Sequence, residues 1–195
     1  MKEFARLYTA LDETTATNEK VAALVAYFSS APPADAAWAV HFLIGRRPKR
    51  LVSSGKLRAW AAEEAGIPAW LFEESYHAVG DLAETITLLL PPGGDSSELP
   101  LSHWVEKRLL GLRGEEEDAQ REVMLSAWRE LDSRERFLWN KLITGSFRVG
   151  ASQRLVARAL SEMSGVPEGV VTHRLMGAWE PSADFFQRLT AADTS

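Results

Sequence analysis

The sequence has no cysteine, which excludes disulfides and cysteine-ligated zinc and points to a reducing compartment. It has no apolar run near the roughly 18–20 residues of a membrane span. Its first residues, MKEFARLYTALDE, place acids inside the apolar stretch that a secretory signal would need, so a cytoplasmic location is expected. It also lacks a basic excess: the formal net charge is −5, the opposite of what most polyanion binders show. Catalytic motifs are missing as well. Gly55-Lys56 has Arg50 where a phosphate-binding loop needs glycine, and PPGGDSS has no strand–helix context. The histidines His41, His77, His103 and His173 are scattered, and His103 with Glu106 reads as a helix-face pair. What is present is ordinary for a globular protein: 195 residues with 46% hydrophobic and 25% charged, enough for one large domain or two small halves.

The charge is segregated. Residues 45–58 carry Arg46, Arg47, Lys49, Arg50, Lys56 and Arg58 with no acid. Residues 133–158 carry Arg134, Arg136, Lys141, Arg148, Arg154 and Arg158 against Glu135 alone. The two windows sum to +11 and the remainder to −16, so an acidic body carries two basic segments.

Nearly every segment repeats its apolar residues at the 3.6 period of a helix. Val21, Leu24, Val25 and Phe28 fall on one face after Thr17, a plausible N-cap. Pro32 and Pro33 open the next helix, Ser53 or Ser54 caps another that ends at Gly66, and Ser152 caps one bearing Leu155, Val156, Ala159 and Leu160. Trp38, Trp104 and Trp128 lie on apolar stripes and are expected in the core. The fold class is therefore all-α, with about twelve helices and no convincing strand. The sequence also repeats: residues 42–68 align with 142–167, with Gly45 on Gly145 and Gly66-Ile67-Pro68 on Gly165-Val166-Pro167. A period of roughly one hundred residues is too long for a solenoid. The expectation is a single domain over 1–195 made of pseudo-repeated halves at about 1–90 and 101–195. The Pro/Gly/Ser-rich segment 91–100 is the linker.

The basic windows fall at equivalent places in both halves. Each has an apolar helix end, a glycine, a short basic segment and a Ser-capped amphipathic helix. Gly145 and Gly150 permit φ > 0 and close approach to another surface. The N–H groups of the helix after Ser152, with its dipole, suit a phosphate, and Arg148 and Arg154 can add charge-assisted bonds. Ser53, Ser54 and Lys56 would do the same in the first half. Glycine followed by a polar cap also joins any two packed helices, GRRPKR also resembles a nuclear localisation run, and Arg154 with Arg158 also suits a solvated helix face. Lys20 lies outside both windows, and Lys20→Ala is expected to change binding little.

KLITGSFRVGASQRLVARALSEMSGVP (141–167) resembles the second half of the N-terminal DNA-binding domain of ATP-dependent DNA ligases, and residues 41–91 resemble the matching first half in bacterial members. The similarity covers most of the chain. It implies an all-helical domain that contacts the minor groove on both sides of a nick, as a monomer with duplex or nicked DNA and the catalytic domains of the same polypeptide as partners. It implies DNA contacts at Gly145, Arg148, Val149, Gly150, Ser152 and Gln153. The first-half counterparts are Arg46, Arg47, Lys49, Arg50, Ser53, Ser54 and Lys56, with Gly80 and Asp81 at a second family-like turn. The family's catalytic lysine, followed by any residue, Asp and Gly, has no counterpart among Lys2, Lys20, Lys49, Lys56, Lys107 and Lys141. No catalytic residue, metal or cofactor is therefore expected in this chain. ATP and Mg are implied for a parent ligase acting in repair, replication or recombination. The alternative is a helical protein–protein adaptor whose basic loops meet an acidic partner.

Overall fold

In the computed structural model, which describes residues 1–192, the helical period is realised without a strand among the described residues. Six segments of the first half are α1 (Lys2–Glu13), α2 (Thr17–Ser30), α3 (Pro33–Leu43), α4 (Ser54–Ala65), α5 (Ala69–Val79) and α6 (Leu82–Leu89). Six of the second are α7 (Leu101–His103), α8 (Glu117–Glu130), α9 (Ser133–Thr144), α10 (Gln153–Ser164), α11 (Glu168–Leu175) and α12 (Ala183–Thr190). α7 runs on into a π-helical segment, Trp104–Leu109, and a 3₁₀ turn, Leu110–Leu112. The bounds repeat: α2 and α8 are offset by 100, and α4 and α10 by 99.

The caps explain most boundaries. Ser53, Asp81, Ser152 and Ser182 each accept a hydrogen bond from a first-turn backbone N–H, and Asp132 with Glu135 forms a reciprocal capping box. Gly66, Gly80, Gly145 and Gly165 end their helices in the left-handed conformation. The N-cap of α2 is Ala16, with no side-chain cap, rather than Thr17.

The chain divides into two compact units, and they are cut differently from the repeat halves. Unit 1 comprises Met1–Lys2 and Pro48–Phe147; unit 2 comprises Glu3–Arg47 and the described part of Arg148–Ser195. Each unit thus joins three helices of one half to the complementary three of the other. In unit 2, α10 packs on α2 and α12 on α3; in unit 1, α4 packs on α8 and α6 on α9, the same pairings under the repeat.

Unit 1 buries Trp104, Trp128, Trp139, Leu57, Phe72 and Ile86. The Trp128 indole donates to Asn140 (2.8 Å), whose amide donates to Thr87 (3.1 Å), while the buried Trp139 Nε1 has no hydrogen-bond partner among the described residues. The 91–100 segment belongs to this packing. The buried Glu135 carboxylate accepts the Ser97 N–H at 3.0 Å, and the buried Arg136 guanidinium donates to the Trp128 and Pro91 carbonyls. Gly93 runs so close to α8 that a Cβ there would sit 2.0 Å from the Leu131 carbonyl oxygen. Unit 2 buries Phe4, Leu11, Leu24, Trp38, Phe42 and Leu160, with Phe4 against Tyr27 and Phe42, and Phe28 stacked on Phe186. Among the described residues no helix is long and apolar enough to cross a membrane.

Candidate nucleic-acid interface

The two basic loops leave their helices through the same turn. After α3, the Gly45 N–H donates to Phe42 and the Arg46 N–H to His41; after α9, the Gly145 N–H donates to Leu142 and the Ser146 N–H to Lys141. Gly45 (φ 91°) and Gly145 (φ 70°) take the left-handed conformation that lets the chain reverse. Each loop then reaches a serine that caps the next helix, Ser53 bonding the Lys56 N–H at 3.3 Å and Ser152 the Leu155 N–H at 3.2 Å. The first-turn N–H groups of α4 and α10 have no carbonyl partner within their own helices, and Ser53 and Ser152 each satisfy one of them.

Matching donors hold the two loops. In unit 2, Lys20 Nζ donates to the Gly150 carbonyl at 2.9 Å, and the Tyr8 hydroxyl donates to the Arg148 carbonyl at 3.3 Å. In unit 1, Gln120 donates to the Leu51 carbonyl at 3.3 Å. Lys20 and Gln120 are 100 residues apart, so the repeat extends to the side chains that pin the loops. Lys20 thus lies outside the basic windows in sequence and holds one of the two loops in the fold. The sequence repeat sets Lys20 on Arg121 at an offset of 101; the helix bounds of α2 and α8 correct this to 100 and set it on Gln120.

The basic residues separate into two groups. Arg46 lies inside unit 2: its guanidinium donates to the Leu175 carbonyl (3.2 Å) and the Gly177 carbonyl (2.6 Å) and sits 4.4 Å over the Trp179 ring. Lys56 pairs with Glu117 at 3.5 Å, Arg58 with Glu73 at 2.8 Å and Arg158 with Glu162 at 3.2 Å. By contrast, the exposed side chains of Lys49, Arg50, Arg134, Arg148 and Arg154 have no hydrogen bond or ion pair among the described residues. Arg47 is also exposed. Val149 is buried at 6% exposure and anchors its loop through packing, while Gly150, Ser152 and Gln153 are exposed.

Unit 1 brings several of the expected residues together. Arg50, Ser54, Gly80 and Asp81 line one cavity of about 230 Å³, with Ser146 at its edge. The Asp81 carboxylate accepts the Glu84 N–H at 2.8 Å and Lys141 Nζ at 2.7 Å. Partial burial raises its pKa, but the Lys141 bond, the backbone N–H bonds of Glu84 and Ala83 and the Lys141 charge together outweigh that and hold it below the ordinary carboxylate value. In unit 2, the position equivalent to Lys141 is His41. Burial first, and the Arg46 charge second, push its pKa down to about 4, and its Nδ1 is buried without a hydrogen-bond partner among the described residues.

Residues 1–161 match the family described as DNA ligase N terminus. The chain belongs to this DNA ligase N-terminal family. Its all-helical fold agrees with that membership, and its role is ligase-associated. A search of curated proteins finds no match. The ATP and metal that the family implies for the parent ligase do not fit the described residues of this domain. No group of three or more His, Cys, Asp or Glu among them could hold a metal ion, and none of the lysines precedes x-Asp-Gly.

Proposed function

We propose that this ligase domain binds duplex or nicked DNA through its backbone, without reading sequence, and presents it to catalytic domains of the same polypeptide. The observation that carries this reading is the repeated loop. In each copy a left-handed glycine, a serine-capped helix start and exposed cations without internal partners among the described residues occur together. First-turn N–H groups and arginines are the donors that phosphates accept, and such contacts position a duplex without discriminating bases. The acidic remainder of the chain leaves the loops as the places where a polyanion can approach. Minor-groove contact on both sides of a nick, monomeric action, and service in repair, replication or recombination complete the proposal. ATP and magnesium act in the parent enzyme.

The test is a salt titration of binding to short duplexes of unrelated sequence, intact and nicked. With about five phosphates neutralised, log K falls against log salt with a slope of about −4.5, equal for all sequences. A slope near zero, or strong preference for one sequence, contradicts the reading and favours an adaptor.

A further inference from the structure

The turns after α3 and α9 share their backbone but differ at one side chain. In unit 2 the residue after the glycine is Arg46, whose guanidinium fills the space against the end of α11, bonding the Leu175 and Gly177 carbonyls and covering Trp179. In unit 1 the same position is Ser146, whose short side chain reaches only the Thr144 hydroxyl at 2.7 Å. The space beside it, at the start of α4 and the α5–α6 turn, stays open as the cavity of about 230 Å³. This is smaller than the roughly 300–1,000 Å³ of a site for a whole small molecule. Leu82 and Tyr76 supply apolar and aromatic surface over the buried Leu57, while Arg50, Ser54 and Ser146 supply a cation and hydroxyls. The negative group lining it, Asp81, is paired with Lys141.

We infer that this cleft seats one sugar–phosphate unit of the DNA backbone. The sugar face lies against Leu82 and Tyr76, and the phosphate meets Arg50 and the hydroxyls of Ser54 and Ser146. The equivalent space in unit 2 is closed to such a unit by Arg46. The inference rests on the DNA-binding reading and adds an asymmetry to it. One loop inserts a backbone unit into a cleft, and the other, carrying Arg148 and Arg154, touches phosphates only from its surface.

The deciding variant is Ser146→Arg, which copies into unit 1 the side chain that closes unit 2. It adds a positive charge, so electrostatics alone predicts equal or tighter binding. A seat predicts the opposite sign. Affinity for a short nicked duplex is measured at fixed salt for wild type, Ser146→Arg, Ser54→Leu and Gln187→Arg, after melting each protein. The cleft reading predicts about tenfold weaker binding for Ser146→Arg and for Ser54→Leu, which fills the cleft without charge and leaves the Ser53 cap intact. Gln187→Arg adds the same charge at an exposed position of α12 and binds as wild type or slightly tighter. If Ser146→Arg binds as well as wild type, the seat is wrong while DNA binding stands; if it does not fold, wild-type affinity in Ser54→Leu overturns the seat. If wild type itself shows no salt-dependent binding, the parent reading fails instead.

Discussion

At the turn after α3, unit 2 draws a basic-loop arginine inward, where Arg46 bonds two carbonyls and covers a tryptophan. At the matching turn after α9, unit 1 has Ser146 beside an open cavity, and the cation it buries is Arg136 at the start of α9. The comparison teaches that a basic window is not one functional object. Its cations divide between those that complete the fold and those left facing solvent, and repeat-equivalent positions divide differently.

The largest expected effect lies in unit 1. Gly93→Ala forces a Cβ to 2.0 Å from a backbone oxygen that no rotamer change can move, and should cost about 3 kcal/mol or more in urea denaturation. Next is Arg46→Ala in unit 2, which removes two charge-assisted hydrogen bonds and a cation–π contact, for about 2 kcal/mol. Arg50→Ala, exposed in unit 1, should leave the melting curve unchanged and weaken DNA binding. If Arg46→Ala and Arg50→Ala behave alike in both assays, the division between structural and DNA-facing arginines is wrong. A smaller effect is expected at Gly150, where φ is +62° and a Cβ would stand 2.9 Å from Lys20 Nζ. Gly150→Ala should cost about 1 kcal/mol from backbone strain, because the flexible lysine can yield, and should weaken DNA binding as the loop shifts.

The pH dependence separates the units more finely. Unfolded His41 takes a proton below about 6.5, whereas in the fold it does so only near 4. Between these values the unfolded state binds more protons, so stability falls as pH drops from 6.5 towards 4. Asp81 in unit 1 has the opposite origin: its folded pKa lies below the ordinary 3.8, so its contribution is complete at neutral pH and is lost only as pH falls through that depressed range. Urea midpoints measured from pH 7 to 4 should decline, and His41→Asn should flatten the decline.

The helices, their caps at Ser53, Ser152 and Gly66, and the hundred-residue repeat were legible because the 3.6 period, capping chemistry and left-handed glycines are local signals. The exchange of helix triplets between halves was not, because periodicity shows which face is buried and not which helix covers it. PPGGDSSELP has the composition of a linker, yet Gly93 is small because α8 passes against it, and close approach and flexibility select the same residue. Among the proposed DNA contacts, the exposed Lys49, Arg50 and Arg148 stand out by charge alone. The inward turn of Arg46, the burial of Val149 and the grip of Lys20 on Gly150 depend on residues more than a hundred positions away or on packing that no window of sequence contains.

The central claim is that solvent-facing loop cations bind DNA phosphates, and it is tested most directly by salt slopes of charge variants. Arg148→Ala and the double variant Lys49→Ala/Arg50→Ala should melt like wild type. The first should lower the magnitude of the slope by about one unit and the second by about two. Wild-type affinity and slope in both, with the fold intact, would contradict the account.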